Sequence, residues 1–313
     1  MRLQAMPDGI LATPAPIDGL LLVDKPAGIS SHDAVSVARR ALGEKRIGHA
    51  GTLDPFATGL LVLLVGRATR LLQHLPHEPK CYDAVVRFGA ETDTEDLHGV
   101  ITLAAPLPSI DALDAARRPL IGDIEQVPPA YSAKRVDGSR AYKLARQGLA
   151  PVLAPRRIQI NSIVLDAFEL DAAGGVLCCR MRVACGGGTY VRSLARDLAR
   201  AAGSGAHLEA LRRTDSGPFS VADATSVDEL KNGIVALRPA VDALPGYPRQ
   251  TLTDDEVIRV TRGIDVAASV PGAHAALVTV DDPGAETLVA FAERRTSEQG
   301  DRWQPRVVMH GGA

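Results

Sequence analysis

Four side chains with chemical potential lie close together in one glycine-rich stretch, residues 43–59 (GEKRIGHAGTLDPFATG): Lys45, Arg46, His49 and Asp54. Its glycines and Pro55 free the backbone from regular structure, so it reads as a loop with a defined path. Such a loop can hold one carboxylate in a fixed pose beside groups that favour phosphate. The same residues also fit a plain connection in which Asp-Pro supplies ordinary turn chemistry. A second candidate stretch, Gly186-Gly187-Gly188-Thr189-Tyr190-Val191-Arg192, precedes a helical pattern and could offer backbone N–H groups to an anion. Metal chemistry has weaker support. His74 and His77 are separated by Pro76 and lack a third ligand, and the acids of 91–96 do not follow the EF-hand spacing, so we expect no metal and no other cofactor.

These residues must be positioned by the elements around them. The apolar runs Leu20–Val23 and Leu60–Val65 read as buried strands. Between them, Ser30 or Ser31 can cap a helix in which Ala34, Val37, Ala38, Ala41 and Leu42 recur at helical spacing, and Gly43 stops it. Ala68–Leu75 reads as a short helix and Cys81–Phe88 as a strand carrying Tyr82. The acidic segment 91–96 reads as a solvated loop. Ser109 caps a helix through Arg118, and Pro128 and Pro129 exclude helix where they stand. Ser139 is placed to cap a helix from Arg140 to Gln147. Ile158–Leu170 and Val176–Ala184 form a hairpin about Gly174-Gly175, followed by an amphipathic helix over Ser193–Ala202. Near the C-terminus, Ala275–Val280 and Thr287–Ala292 are strand-like. Strands and helices mix without βαβ alternation, which implies an α+β fold.

The chain has 313 residues, 46% hydrophobic and 23% charged, an ordinary globular composition. Its longest apolar run is too short to span a bilayer, and the proline-containing residues 1–18 read as a flexible leader without the build of a secretory signal. Four cysteines make no Cys-x-x-Cys pair and are expected to be reduced, consistent with a cytoplasmic protein. A net charge of −2 does not suggest nucleic acid, but the distribution does. Basic residues lead by two over 1–80 and by seven over 131–215, whereas acids lead by six over 81–130 and by five over 216–313. From Lys134 to Arg157 there are seven basic residues and a single acid, Asp137. A segregated basic block is the footprint expected of a phosphate-binding surface.

The stretches 19–33 (GLLLVDKPAGISSHD), 43–59, 59–70 (GLLVLLVGRATR), 188–192 (GTYVR) and 207–219 (HLEALRRTDSGPF) together resemble the bacterial tRNA pseudouridine synthase B family, whose members modify the T-loop uridine (position 55) of tRNA. The resemblance implies a pseudouridine-synthase fold: a central mixed, largely antiparallel sheet flanked by helices and loops, with the active loop in a cleft across it. It implies a catalytic domain over 19–240 with an RNA-clamping insertion near 128–150. A small β-rich, PUA-like module would occupy 249–313, though its acidity argues against strong RNA contact. Gly186 and Gly187 depart from the polar or basic residues more frequent in relatives, which puts a phosphate contact there in doubt.

By the same resemblance, Asp54 is the catalytic nucleophile, Arg192 its ionic partner, and Tyr82 stacks on the flipped base. His49 enters the RNA loop, Tyr190 and Leu211 wall the pocket, and Lys25 supports the Asp54 loop. Arg46, Arg70 and Lys80 meet phosphates, and Lys134, Arg135 and Arg146 belong to the clamp. Isomerisation breaks an N-glycosidic bond and rejoins the base through carbon, so the detached base must be trapped away from water. A carboxylate can serve as covalent nucleophile, at ring C6 or at ribose C1′, without metal or redox help. The implied partner is the tRNA T-arm, bound by a monomer with no guide RNA and no membrane. A tRNA-folding chaperone is the alternative. A guide-dependent relative is disfavoured by the acidic C-terminus.

Overall fold

The computed structural model describes residues 17–131, 135–136, 139–140, 153–282, 285–298 and 300–309. Its first half begins with strand β1 (Gly19–Lys25), helix α1 (Ser31–Leu42), β2 (Ile47–Ala50) and β3 (Thr58–Val65). A 3-10 helix (Gly66–His74), β4 (Lys80–Phe88), β5 (Ala90–Thr92), β6 (Ile101–Ala104), α2 (Ile110–Arg117) and β7 (Gly122–Gln126) follow. Two short strands, β8 (Arg135–Val136) and β9 (Ser139–Arg140), pair with one another. The long hairpin of β10 (Arg156–Leu170) and β11 (Val176–Cys185) leads to α3 (Val191–Ala201) and β12 (Ala206–Ser216). Then come β13 (Phe219–Ser220), β14 (Thr225–Ser226), α4 (Val227–Lys231), β15 (Arg249–Thr251), α5 (Asp254–Thr261), β16 (Val266–Ala267), β17 (His274–Asp282), β18 (Ala285–Ser297) and β19 (Gly300–Val308).

The main sheet has ten strands and runs β14-β1-β3-β12-β4-β11-β10-β7, with β2 added to β3 and β13 to β12. Its pairings are antiparallel except β1 with β14 and β3 with β12. It is therefore the mixed, largely antiparallel sheet of an α+β fold. A second sheet runs β15-β17-β18-β19-β16.

The continuous apolar runs of β1 and β3 follow from burial on both faces. Leu21, Val23, Leu61, Leu63 and Val65 pack against Ala34, Val35, Val37 and Ala38 of α1. The alternate residues Leu20, Leu22, Leu60, Val62 and Leu64 pack in one cluster with Ala276, Val278, Phe291 and Val307 of the second sheet. Each leucine, valine or phenylalanine among them contributes about 1.5–3 kcal/mol by leaving water. The second sheet is thus built onto the first through a shared core. Elsewhere β4 and β11 alternate, with Ala84, Val86, Met181 and Val183 facing α2 and α3 and their neighbours facing out.

Local signals act as their chemistry dictates. Ser30 caps α1 in a reciprocal capping box with Asp33, and Gly43 closes it in the left-handed region at φ 66°. Ser109 caps α2. Several expectations change. Residues 47–50 are a strand, not loop, because β3 offers an edge on which Ile47–Ala50 pair with Val62–Val65. Arg140, expected to begin a helix, lies in β9, while 141–147 and the insertion residues Lys134 and Arg146 fall outside the described residues; Arg135 is described as backbone only. Of the expected leader, Asp18 is held by Arg67 through its backbone N–H and side chain, and 1–16 are outside the description.

Candidate active site

Asp54 stands on a loop fixed from both sides. Leu53 and Phe56, 3% and 7% exposed, are anchored in the core beneath α3. Ser31, in the first turn of α1, bonds both polar backbone groups of Leu53: its Oγ accepts from the Leu53 N–H at 2.9 Å and donates to the carbonyl at 3.1 Å. The Pro55 carbonyl accepts from Gly28 N–H at 2.8 Å. Lys25 is fully buried beneath the loop and donates to the carbonyls of Pro26, Ile29 and Pro55 at 2.8, 2.8 and 3.3 Å. Burial pushes the Lys25 ammonium down to about 8, against the opposing pull of Asp54. The support expected of Lys25 is therefore direct, through backbone carbonyls.

Arg192, the second residue of α3, reaches Asp54 from across the cleft. Its Nε donates to Asp54 Oδ2 at 2.9 Å, with the arginine side chain 4% exposed and the aspartate 37%. The other two guanidinium nitrogens donate to the carbonyls of Thr94 at 2.7 Å and Tyr131 at 3.0 Å. Every arm of the fork is used, so the guanidinium is fixed in orientation. The start of α3 is itself fixed by Gln126, which accepts from Tyr190 N–H at 2.9 Å and donates to the Tyr190 carbonyl at 3.1 Å.

The acidic segment 91–96 is not the solvated loop that its composition suggests. Glu91, Thr92, Glu95 and Asp96 are all buried. Glu95 accepts from Ser193 Oγ at 2.8 Å and pairs with Arg196, while Glu91 takes both arms of Arg200 at 2.6 Å. Glu95 adopts φ 60°, a conformation rare outside glycine, and the turn it makes aims the Thr94 carbonyl at Arg192. The carboxylates and the α3 arginines are about a hundred residues apart, so local sequence carries no sign of the pairing.

Between the loop and α3 is a cavity of about 260 Å³. Asp54 and Arg192 line it, as do Tyr82, Tyr190 and Leu211. The sequence expectation thus gathers five residues in one place. Burial pushes the Tyr82 phenol up, while the adjacent Arg213 guanidinium pulls it down. His49 stands apart on β2, half-buried, 6.3 Å ring to ring from His32. Burial, then His32 and Arg213, lower its proton affinity and favour the neutral ring.

Lys80, grouped with Arg46 and Arg70 as a phosphate contact, is separated from them. Arg46 and Arg70 are exposed, and Arg70 also donates to the Val308 carbonyl at 3.0 Å. Lys80 lines the cavity and is 9% exposed. The glycine triplet is not an open row of donors, since Gly186 N–H is taken by the Gln159 carbonyl at 2.9 Å and Gly187 N–H by Glu78 at 2.7 Å.

Arg213 was missed. It is 1% exposed and donates to the carbonyls of Leu60 at 2.7 Å and Gly51 at 3.0 Å, joining β3, β12 and the Asp54 loop. Its place was legible in the strand period, because it lies two residues beyond Leu211 and so shares its face. The pairing of β12 with β3 explains Gly59, which has φ 101° and where a Cβ would stand 2.2 Å from the Arg213 backbone carbonyl oxygen.

Comparison with known proteins decides the family. The model for the "TruB family pseudouridylate synthase (N terminal domain)" matches residues 39–191, and that for the "tRNA pseudouridylate synthase B C-terminal domain" matches 192–252. This chain belongs to the TruB family. Among curated relatives, tRNA pseudouridine synthase B of Thermobifida fusca is 42% identical over 94% of this chain and 99% of its own length. The enzyme of the same name from Mycobacteroides abscessus is 42% identical over 89% of this chain and 94% of its own. Among solved structures, an H/ACA RNP bound to a substrate RNA containing 2′-deoxyuridine matches with a TM-score of 0.65 at 24% identity, covering 93% of this chain and 85% of the other. That likeness concerns the fold. Among the described residues no helix is long and apolar enough to cross a membrane.

Proposed function

We propose that this TruB-family chain isomerises a uridine of tRNA to pseudouridine, with the T-loop uridine (position 55) as its target and Asp54 as its nucleophile. The observation that carries the reading is the Asp54–Arg192 pair, at 2.9 Å, in the wall of the cavity. A cation beside a carboxylate favours its charged, nucleophilic form. The relatives that align over nearly the whole chain carry the name tRNA pseudouridine synthase B.

The substrate base is stacked within the RNA and is first flipped out, at a cost of roughly a few kcal/mol. His49, neutral and beside the loop, fills the place the base leaves. Tyr82 and Leu211 hold the ring, Tyr190 closes the wall, and Asp54 attacks. Lys25 holds the attacking loop in register through Pro55. Arg46 and Arg70 bind phosphates, and the insertion with Lys134, Arg135 and Arg146 closes over the stem-loop. In this reading residues 19–240 are the catalytic unit and 249–313 an accessory module. The enzyme works as a cytoplasmic monomer on tRNA, without guide RNA.

Tritium release from T-arm RNA labelled at uridine C5 tests the reaction, because isomerisation expels that hydrogen. Stoichiometric release by the wild type and none by Asp54→Asn or Asp54→Ala, with RNA binding retained, is expected. Undiminished release by the variants would remove Asp54 from the role of nucleophile. No release by the wild type would leave the tRNA-folding chaperone as the better reading.

A further inference from the structure

The cavity holds more positive charge than Asp54 and Arg192 account for. Lys80 is nine-tenths buried and faces the cavity, yet its ammonium has no hydrogen bond or ion pair among the described residues. Glu78, which acts on it electrostatically, is half-exposed and accepts instead from the Gly187 N–H. The second charge is Arg213, whose Nε and Nη2 donate to carbonyl oxygens and whose guanidinium also stands against the Tyr82 phenol, so among the described residues no carboxylate matches its charge. The two tips converge. Lys80 Nζ and Arg213 Nη1 would each stand 3.3 Å from a Cβ placed on Gly51. A buried ammonium without a partner costs free energy, which an entering anion would recover.

Strand geometry says where that anion would lie. Lys80 and Tyr82 share one face of β4, as Leu211 and Arg213 share one face of β12, and Arg213 pairs with Tyr82 in the register of the two strands. The cations therefore flank the aromatic and apolar walls that would hold a base. We propose that Lys80, with Arg213 behind it, stabilises the negative charge that develops on the uracil ring during isomerisation, so that Lys80 is a catalytic residue and not a phosphate ligand.

The charge arises by either route. If Asp54 bonds C1′, the N1–C1′ bond breaks and its electron pair stays on N1, spread to O2 and O4. After rotation, the C5 pair forms the new bond to C1′, Asp54 leaves as carboxylate, the C5 hydrogen departs as a proton to a base, and N1 takes up a proton from water. If Asp54 bonds C6 first, the ring pair moves onto C5 and O4. Neither route needs a proton from Lys80. Donors fixed where charge develops are worth about 10²–10³ in rate.

This inference rests on the proposed reaction, and the test separates the two. Single-turnover tritium release at saturating enzyme is measured beside T-arm Kd across a salt series, for the wild type, Lys80→Met, Lys80→Gln and Lys80→Arg. Lys80→Met and Lys80→Gln are expected to slow release about 10²–10³-fold, with Kd within about threefold and the salt slope of the wild type. Lys80→Arg is expected to regain at least about tenfold, and Lys80→Met to melt no lower than the wild type, because an unpaired buried charge is gone. Lys80→Gln serves if Lys80→Met does not fold. An unchanged rate with weaker binding and a salt slope smaller by about one would make Lys80 a phosphate ligand and overturn the proposal. A wild type that releases no tritium would instead defeat the reaction itself.

Discussion

The two faces of the main sheet use arginine in opposite ways. On the cavity side, Arg192, Arg196 and Arg213 are buried, and much of their hydrogen bonding goes to backbone carbonyls. On the outer side of the same strands, Arg180 pairs with Asp83 at 2.6 Å, Arg182 with Asp166 at 2.5 Å and Arg212 with Asp24 at 2.7 Å, in pairs that solvent reaches. The outer pairs match charge with charge, and water and salt weaken them. The inner arginines tie distant loops to one point, and only Arg192 among the cavity cations meets Asp54. Position, not the number of ion pairs, distinguishes the working face.

The sharpest way to break this contrast is Arg192→Met. It leaves Asp54 without its cation and the carbonyls of Thr94 and Tyr131 without their donor. We expect single-turnover release to fall at least about 100-fold and stability to fall by about 1–3 kcal/mol, because backbone carbonyls lose their charged donor while the half-exposed Asp54 can be met by water. Retention of half the rate would show that Arg192 only braces the fold.

Lys25 sharpens the comparison through pH. Its folded proton affinity is depressed to about 8 from an ordinary 10.5, so between those values the unfolded chain holds a proton that the folded chain has released. Stability contributed by this residue therefore rises with pH across that window, by up to about 1.4 kcal/mol per pH unit. Denaturant unfolding at pH 8 to 10 checks it. The rise is expected in the wild type and missing in Lys25→Met; equal slopes would refute it.

The smallest effect belongs to the outer face. Arg180→Gln, which breaks the pair with Asp83, is expected to cost under about 1 kcal/mol and to leave tritium release unchanged. A loss of rate there would mean that the outer face also bears on the reaction.

Much of the architecture was legible in the chain. The runs 20–23 and 60–65, the Ser30 and Ser109 caps, Gly43 and the hairpin about Gly174-Gly175 are local signals, and each forms as its residues dictate. Strand β2 was hidden because its four residues pair only once β3 supplies an edge. Among the site residues, Asp54, Arg192, Tyr82, Tyr190 and Leu211 converge as the motifs imply. Lys80 stands in the cavity, apart from the exposed Arg46 and Arg70, and a lysine before a strand tyrosine carries no sign of which way the cavity opens.

Which side chains could carry chemistry and which periods build strands and helices is written locally in the chain, because those properties reside in side-chain type and spacing over a few residues. Tertiary structure alone decided which charges meet. Glu95 reaches Arg196, and Thr94 reaches Arg192, across about a hundred residues of chain. Only the assembled sheet buries Lys80 and Arg213 side by side over Gly51. Burial sets both the cost of a charge and its electrostatic reach, and burial is a property of the packed sheet, not of any stretch of sequence.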